Sequence, residues 1–352
     1  MSQGRRLTML DERKAALETC GYCPKLCRGA CPVSETEASE ALIPWGKMSM
    51  TWYVARGDLE PDPDVAALPW ACTGCFGCRD RCEHQNPVAE TLRAARAVYR
   101  NQGLAPARSE ALLAAFSAKQ ARLAARAREL DGGTRGDAAL LVGCGYLSLK
   151  SGEARDAVAA TRALLGSVSV LDGCCGLVLR EGGDERGAAD ARNALLEQVN
   201  GRPLVVADAG CALELRAAGA RTLAELAASD LSRLARVPSL GGSLRWHDPC
   251  RLSRGLGVEV EPRSILERAL GAPPAEFDRR GKGGHCSGAG GLLPLTMPST
   301  ARGIVRERLR EHGELGGGTI ATACASSLRW MRLAGASVVD LSTVIARSLT
   351  GG

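Results

Sequence analysis

Two short stretches decide how this chain is read: Cys20-Gly-Tyr-Cys23-Pro-Lys-Leu-Cys27-Arg-Gly-Ala-Cys31-Pro32 and Cys72-Thr-Gly-Cys75-Phe-Gly-Cys78-Arg-Asp-Arg-Cys82. The second is spaced C-x2-C-x2-C-x3-C. The first is the same run with one more residue before its third cysteine, and it ends in Cys-Pro. Three thiols a few residues apart can wrap one side of a cube-shaped metal cluster, and the fourth must come from elsewhere. Zinc would instead close one tetrahedron with two C-x2-C pairs, which two complete four-cysteine runs fit poorly. Disulfides fit no better: the chain has 15 cysteines, an odd number, and the spacings are too tight for most bridges.

The spacing is that of a bacterial ferredoxin run, where the last cysteine of each run ligates the other cluster. On that rule Cys20, Cys23 and Cys27 take their fourth ligand from Cys82, and Cys72, Cys75 and Cys78 take theirs from Cys31. The expectation is two [4Fe–4S] clusters in one small unit, close enough for electron transfer.

The 352 residues allow two or three domains, and a hydrophobic content of 45% suffices for packed cores. Aromatic residues make up only 3%, so aliphatic side chains must fill those cores. Residues 1–17 are charged and lack an apolar centre, which argues against a signal peptide. No stretch approaches the roughly 20 apolar residues of a membrane span. So many cysteines without an export signal point to a reducing, cytoplasmic setting, at most at the inner face of a membrane through a partner. The net charge of +6 is mild, and no Lys/Arg block argues for nucleic acid.

Along the chain, the pattern predicts helices at 10–19, 48–56 and 88–99, so the unit carrying both runs, residues 1–103, is mostly helical. Residues 106–130 read as one long Ala- and Arg-rich helix within a connecting segment, 104–136. Its basic face is either solvated or a docking surface. Asp131-Gly-Gly-Thr134 then stops the helix.

Beyond that point strand and helix alternate. Apolar strands at 137–142, 167–171 and 203–207 end at Cys144, at Cys174 and Cys175, and at Cys211. Strands at 244–247 and 318–323 lead to Cys250 and Cys324, with His285 and Cys286 between them. Such alternation predicts parallel sheets, with the cysteines at the carboxyl ends of strands, where open α/β sheets place their ligands. Cys144 to Cys250, Cys175 to Cys286 and Cys211 to Cys324 are each offset by roughly 110 residues, the mark of a duplicated unit. The expected organisation is therefore a helical ferredoxin-like domain, the connecting helix, and two α/β cysteine-rich repeats at 137–242 and 243–352.

These residues give the chain a resemblance to the family that joins a two-cluster ferredoxin domain to twin cysteine-rich (CCG) domains. That family includes a heterodisulfide reductase subunit, the glycolate oxidase iron–sulfur subunit and lactate utilisation protein A. The resemblance rests on the two runs, Asp172-Gly-Cys174-Cys175-Gly176, Trp246-His-Asp-Pro-Cys250 and His285-Cys286-Ser-Gly-Ala-Gly-Gly291. In the family each repeat carries five cysteines, and a full set can hold a non-cubane iron–sulfur cluster. This chain departs from that pattern. Glu214 stands where the first repeat's last cysteine belongs, and His285 and Ser327 replace two in the second. The resemblance then implies metal-site candidates at Cys144, Cys174, Cys175 and Cys211, holding a cluster or zinc. A second set is Cys250, Cys286, Cys324 and His285, of the Cys3His kind that suits zinc.

Other residues carry two readings. His247 and Asp248 either relay a proton or shape the turn that presents Cys250. His84 either hydrogen-bonds a cluster sulfur or is an exposed loop residue. The glycines from Gly288 to Gly291 allow close backbone approach at the Cys286 site rather than forming a nucleotide fingerprint. With no flavin or nucleotide motif, the resemblance implies an electron-transfer subunit. It would take electrons from a flavin-containing dehydrogenase that oxidises a 2-hydroxy acid, or from another redox protein, and pass them towards quinone or another carrier. The alternatives are a thiol–disulfide (heterodisulfide) reductase subunit that uses a repeat-domain cluster, and a zinc-stabilised scaffold.

Overall fold

A computed structural model describes residues 8–21, 23–25, 27–133, 135–240 and 244–350, with only the backbone of Thr8 and Met9. Tyr22 and Leu26 of the first run, Thr134 of the helix stop and the boundary expected at 242–243 lie outside the described residues. Two compact units emerge. One draws on Met1–Ala115, Val178–Gly187 and His285–Arg308, the other on Phe116–Leu177, Ala188–Gly284 and Leu309–Gly352.

The first unit is helical. A 3-10 turn, Thr8–Arg13, runs into the helix Lys14–Gly21. The helix Pro44–Arg56 begins with proline in its first turn, where the missing N–H costs nothing, and ends at left-handed Gly57. Pro87 precedes the helix Val88–Asn101. Leu17, Met48, Trp52, Trp70, Leu92 and Tyr99 from these segments form the core. The single long helix expected at 106–130 is instead two, Ala107–Ala114 and Phe116–Asp131, which meet at Ala115. The first is held by tertiary contacts. Leu113 packs on Gly182, and Ser109 is buried between the Trp70 indole N–H (3.2 Å) and the Gly182 carbonyl (3.4 Å).

The second helix, Phe116–Asp131, lies in the second unit and uses its polar residues internally. Gln120 donates to the Asp172 carbonyl (3.0 Å), Arg126 to the carbonyls of Leu147 and Leu149, and Arg128 to the Asp172 carboxylate. Much of the expected basic face is thus engaged by the first repeat.

The second unit holds two four-stranded parallel sheets of the same order. Strands β1 (Ala138–Leu141), β2 (Val168–Val170), β3 (Leu204–Val206) and β4 (Arg221–Thr222) lie in the order β2-β1-β3-β4. Strands β5 (Leu244–Trp246), β6 (Ala275–Glu276), β7 (Thr319–Thr322) and β8 (Val338–Asp340) repeat it as β6-β5-β7-β8. The central strands are short, apolar and buried on both faces, as helix-covered parallel sheets require. The repeats pack reciprocally. Helix Glu153–Leu165, after β1, meets the terminal helix Leu341–Thr350. Helix Val260–Leu270, after β5, meets Leu223–Ala228, which follows β4.

One buried pair ties the repeats together. The Tyr146 hydroxyl donates to Asp340 Oδ2 at 2.7 Å, and both side chains are buried. Burial pushes the Asp340 carboxyl up to about 6, even though the Ser342 hydroxyl, Tyr146 and the Ser342 N–H all donate to it. In the unfolded chain the value is about 3.9. The folded state therefore binds the proton more tightly. The resulting stability is complete below about pH 4 and is lost as pH rises through 6. At about 1.4 kcal/mol per unit, the window spans roughly 2–3 kcal/mol. Urea midpoints measured between pH 4 and 7 are expected to vary less in Asp340→Asn than in the wild type. Parallel pH profiles would contradict this.

Candidate iron–sulfur centres

All eight cysteines of the two runs lie in the first unit, and they line two cavities. One, of about 110 Å³, is lined by Cys20, Cys23, Cys27, Cys82 and Cys78. The other, of about 20 Å³, is lined by Cys31, Cys72, Cys75 and Cys78. Cys82 thus sits with the first run and Cys31 with the second.

Local backbone explains how. In the second run Gly74 and Phe76 both take left-handed conformations (φ 65° and 62°), so the chain coils tightly and successive thiols face one cavity. The Gly74 N–H also points at the Cys72 sulfur (3.4 Å). Gly77 lets the runs meet, since a Cβ there would stand 2.9 Å from the Ala30 carbonyl, next to Cys31. The glycines at 290 and 291 do allow close backbone approach, but their neighbours are Thr73 and Cys72. Added Cβ atoms would stand 2.4 Å and 2.0 Å from those two carbonyls.

Without metal, burial favours the protonated form of four of these thiols. Burial pushes Cys20 up to about 12 and Cys27 up to about 11, and it raises Cys72 and Cys78 as well. Metal ligation requires thiolates, so loading must expel protons and supply compensating positive charge.

The structure itself tests the fit of an anionic cluster. Lys47, on the helix Pro44–Arg56, is 1% exposed and lines the second cavity. Its Nζ donates to the Ala71 carbonyl (2.8 Å) and stands 3.9 Å from the Cys31 sulfur. No carboxylate pairs with it among the described residues. A buried ammonium is costly without a compensating charge, and a cluster held by four thiolates supplies one. The donor set and this cation both fit the group.

Asn86 is the counterpart at the first cavity. Its Nδ2 donates to the Cys20 sulfur (3.0 Å) and to the Ala16 carbonyl (2.8 Å). His84 also lines that cavity but is exposed. The sequence offers His84 for the sulfur hydrogen bond and gives no sign of Asn86 or Lys47. Neither shows a motif; only burial reveals them.

In the second unit the first repeat gathers its four cysteines at the carboxyl ends of β1, β2 and β3. Cys175 and Cys211 approach to 3.2 Å. Burial pushes Cys144 up to about 12, with the nearby Cys174 adding to the rise, and Cys174 is raised by its hydrogen bond with Cys175 and by burial. Lys119, from the helix Phe116–Asp131, lies near both and favours their thiolates. Asp208 caps the helix Ala209–Leu215 and also accepts from the Ala325 N–H (3.2 Å), which opens the helix after β7. Glu214 lies half-buried on that first helix, one turn beyond Cys211.

In the second repeat Cys324 is pushed up to about 12 by burial, with Asp208 adding to the rise. Ser327 hydrogen-bonds it through both backbone and side chain. Cys250 is also in this unit, whereas His285 and Cys286 are in the first, where His285 Nε2 lies 3.5 Å from Glu35 Oε2. Asp248 is structural. Burial favours its neutral form, but two hydrogen bonds from Arg263 (2.9 Å each), one from the Gly281 N–H (2.7 Å) and one from Trp246 hold it below the usual carboxylate range. It therefore shapes the turn that presents Cys250. His247 is buried with its ring edge-on to Phe277. Among the described residues, no three His, Cys, Asp or Glu side chains are gathered in the manner of a single-ion site.

Residues 16–86 match the 4Fe-4S dicluster domain, and residues 138–216 and 244–331 each match the cysteine-rich domain. The chain belongs to the iron–sulfur proteins that join these two kinds of domain. It is similar to one of the subunits of the dihydromethanophenazine:CoB–CoM heterodisulfide reductase of Methanosarcina acetivorans. There it is 31% identical over 86 residues, 24% of this chain and 21% of the relative. It is also similar to one of the subunits of the fumarate reductase (CoM/CoB) of Methanothermobacter marburgensis, 29% identical over 128 residues, 34% of this chain and 26% of the relative. A probable membrane-anchored ferredoxin of Chromohalobacter salexigens is 36% identical over 91 residues, 24% of this chain and 13% of the relative. The matched stretches thus cover about a quarter or less of these relatives' lengths. Among the described residues no helix is long and apolar enough to cross a membrane.

Proposed function

We propose that this protein is an electron-transfer iron–sulfur subunit of an oxidoreductase complex. One [4Fe–4S] cluster would be held by Cys20, Cys23, Cys27 and Cys82, the other by Cys72, Cys75, Cys78 and Cys31. The observation that carries this is the pair of cysteine-lined cavities, with Cys82 beside the first run's Cys20, Cys23 and Cys27, and Cys31 beside the second run's Cys72, Cys75 and Cys78. When bound, such clusters supply one-electron storage and transfer. The chain's residues position the thiols, bury Cys20, Cys75 and Cys78, and leave Cys23, Cys27 and Cys82, as well as Cys31 and Cys72, partly exposed. The electron donor in this reading is a flavin-containing dehydrogenase of the 2-hydroxy-acid type or a similar redox protein, and the acceptor is quinone or another carrier.

A second reading has one observation in its favour. The first repeat collects four cysteines, two of them 3.2 Å apart, in a chain similar to part of a heterodisulfide reductase. There Cys144, Cys174, Cys175 and Cys211 would hold a further cluster or zinc and act in thiol–disulfide reduction.

The deciding measurement is iron, acid-labile sulfide and zinc on protein purified without oxygen, followed by EPR of the reduced form. Electron transfer predicts about eight irons per chain and signals from two interacting cubanes. More iron, with viologen-driven disulfide reduction lost in Cys174→Ala, would favour the second reading. Zinc without iron would overturn both.

A further inference from the structure

We infer that Lys47 sets a potential difference between the two clusters, making the one held by Cys31, Cys72, Cys75 and Cys78 the stronger electron acceptor. This rests on the two-cluster reading above. Cluster potentials respond to nearby charge, to hydrogen bonds at sulfur and to solvent exposure.

At the inner cavity the charge is a full ammonium, 1% exposed, 3.9 Å from the Cys31 sulfur and without a carboxylate partner among the described residues. A second buried cation is close by. The Arg96 guanidinium donates to the Cys72 carbonyl (2.7 Å), but it is paired with Glu181 at 2.6 Å. Glu181 also faces Arg93 at 3.7 Å, so it offsets Arg96 in part, and Lys47 is the cation that stands at a ligand sulfur with no carboxylate beside it among the described residues.

At the outer cavity the sulfur hydrogen bond comes from the neutral amide of Asn86, and the charged residues Arg81 and Glu83 are exposed and opposite in sign. Partial exposure of that site also favours the reduced, more anionic form. A full charge in a buried, weakly screened setting outweighs an amide dipole plus partial exposure. Adding an electron is consequently easier beside Lys47. Electrons shared between the two clusters would come to rest on the one beside Lys47.

The test is an EPR-monitored redox titration of the full chain, prepared anaerobically, as wild type, Lys47→Met, Lys47→Arg and Asn86→Leu. In Lys47→Met the higher of the two midpoints is expected to fall by at least a tenfold change in the reduction equilibrium, about 59 mV for one electron. The lower midpoint should stay in place, and Lys47→Arg should restore the higher one. Asn86→Leu is expected to move only the lower. A Lys47→Met titration that moves neither midpoint, the lower one, or both equally would overturn the proposal. If Lys47→Met holds less iron, Lys47→Gln is titrated in its place. Iron lost from both but kept by Lys47→Arg would support a charge role. Iron lost from all three would make Lys47 a packing residue and overturn it. A wild type without two clusters would instead remove the reading on which the proposal stands.

Discussion

Cys82→Ala is expected to lose one whole cluster, and the same cluster that Cys23→Ala loses. Iron should fall from about eight to about four per chain. Alanine is the right probe, because a serine oxygen could still ligate. The partners matter more than the count. If each run held its own cluster, Cys82→Ala would behave like Cys75→Ala. The cavities divide the other way, with Cys82 beside Cys20, Cys23 and Cys27, and Cys31 beside Cys72, Cys75 and Cys78. Cys82→Ala and Cys23→Ala should therefore leave one EPR signal, and Cys31→Ala and Cys75→Ala the other. Each survivor should also lose the broadening due to its neighbour. Cys82→Ala and Cys75→Ala spectra that coincide would defeat the crossover.

The cysteine runs were legible because a metal cluster imposes its geometry on a few consecutive residues. Gly74, Phe76 and Gly77 do their work within the run itself. The repeats were legible for a related reason: strands as short and apolar as Ala138–Leu141 and Thr319–Thr322 must be buried on both faces, and each ends just before a cysteine. What escaped depends on contacts between distant segments. Lys47 occupies an unremarkable position on a helix with no clear polar face, and only the fold shows that its ammonium is shut in beside Cys31. The helix break at Ala115 goes with contacts that only the fold reveals, Leu113 and Ser109 meeting Gly182 in a distant segment. The compact units are themselves discontinuous in sequence. Residues 178–187 and 285–308, read as parts of the repeats, pack within the helical unit. Nothing local in Gly290-Gly291 announces that its neighbours are Cys72 and Thr73.

Arg96→Met is expected to be among the most destabilising single changes in the helical unit. Arg96 is 1% exposed and its five N–H groups are fully used. They reach the Glu181 carboxylate (2.6 Å) and carbonyl (2.9 Å), the Pro69 carbonyl (3.0 and 3.2 Å) and the Cys72 carbonyl (2.7 Å). It thus pins residues 178–187 and the start of the second cysteine run to the helix Val88–Asn101. Methionine fills similar space but takes away the 2.6 Å partner of Glu181, which is 3% exposed and also faces Arg93 at 3.7 Å. Breaking a buried pair costs about 3–5 kcal/mol where nothing else compensates the remaining charge, and Arg93 offsets part of that here. Removing both charges should cost less than removing one, so Arg96→Met combined with Glu181→Leu should recover a large part of the loss. The Cys72 carbonyl loses its donor in either case, so both variants should release the inner cluster's iron to a chelator faster than the wild type does. Urea midpoints and chelator-release rates on anaerobic, iron-loaded protein separate these effects. A single variant within about 1 kcal/mol of wild type, or a double variant no more stable than the single, would show that the pair does not anchor this segment.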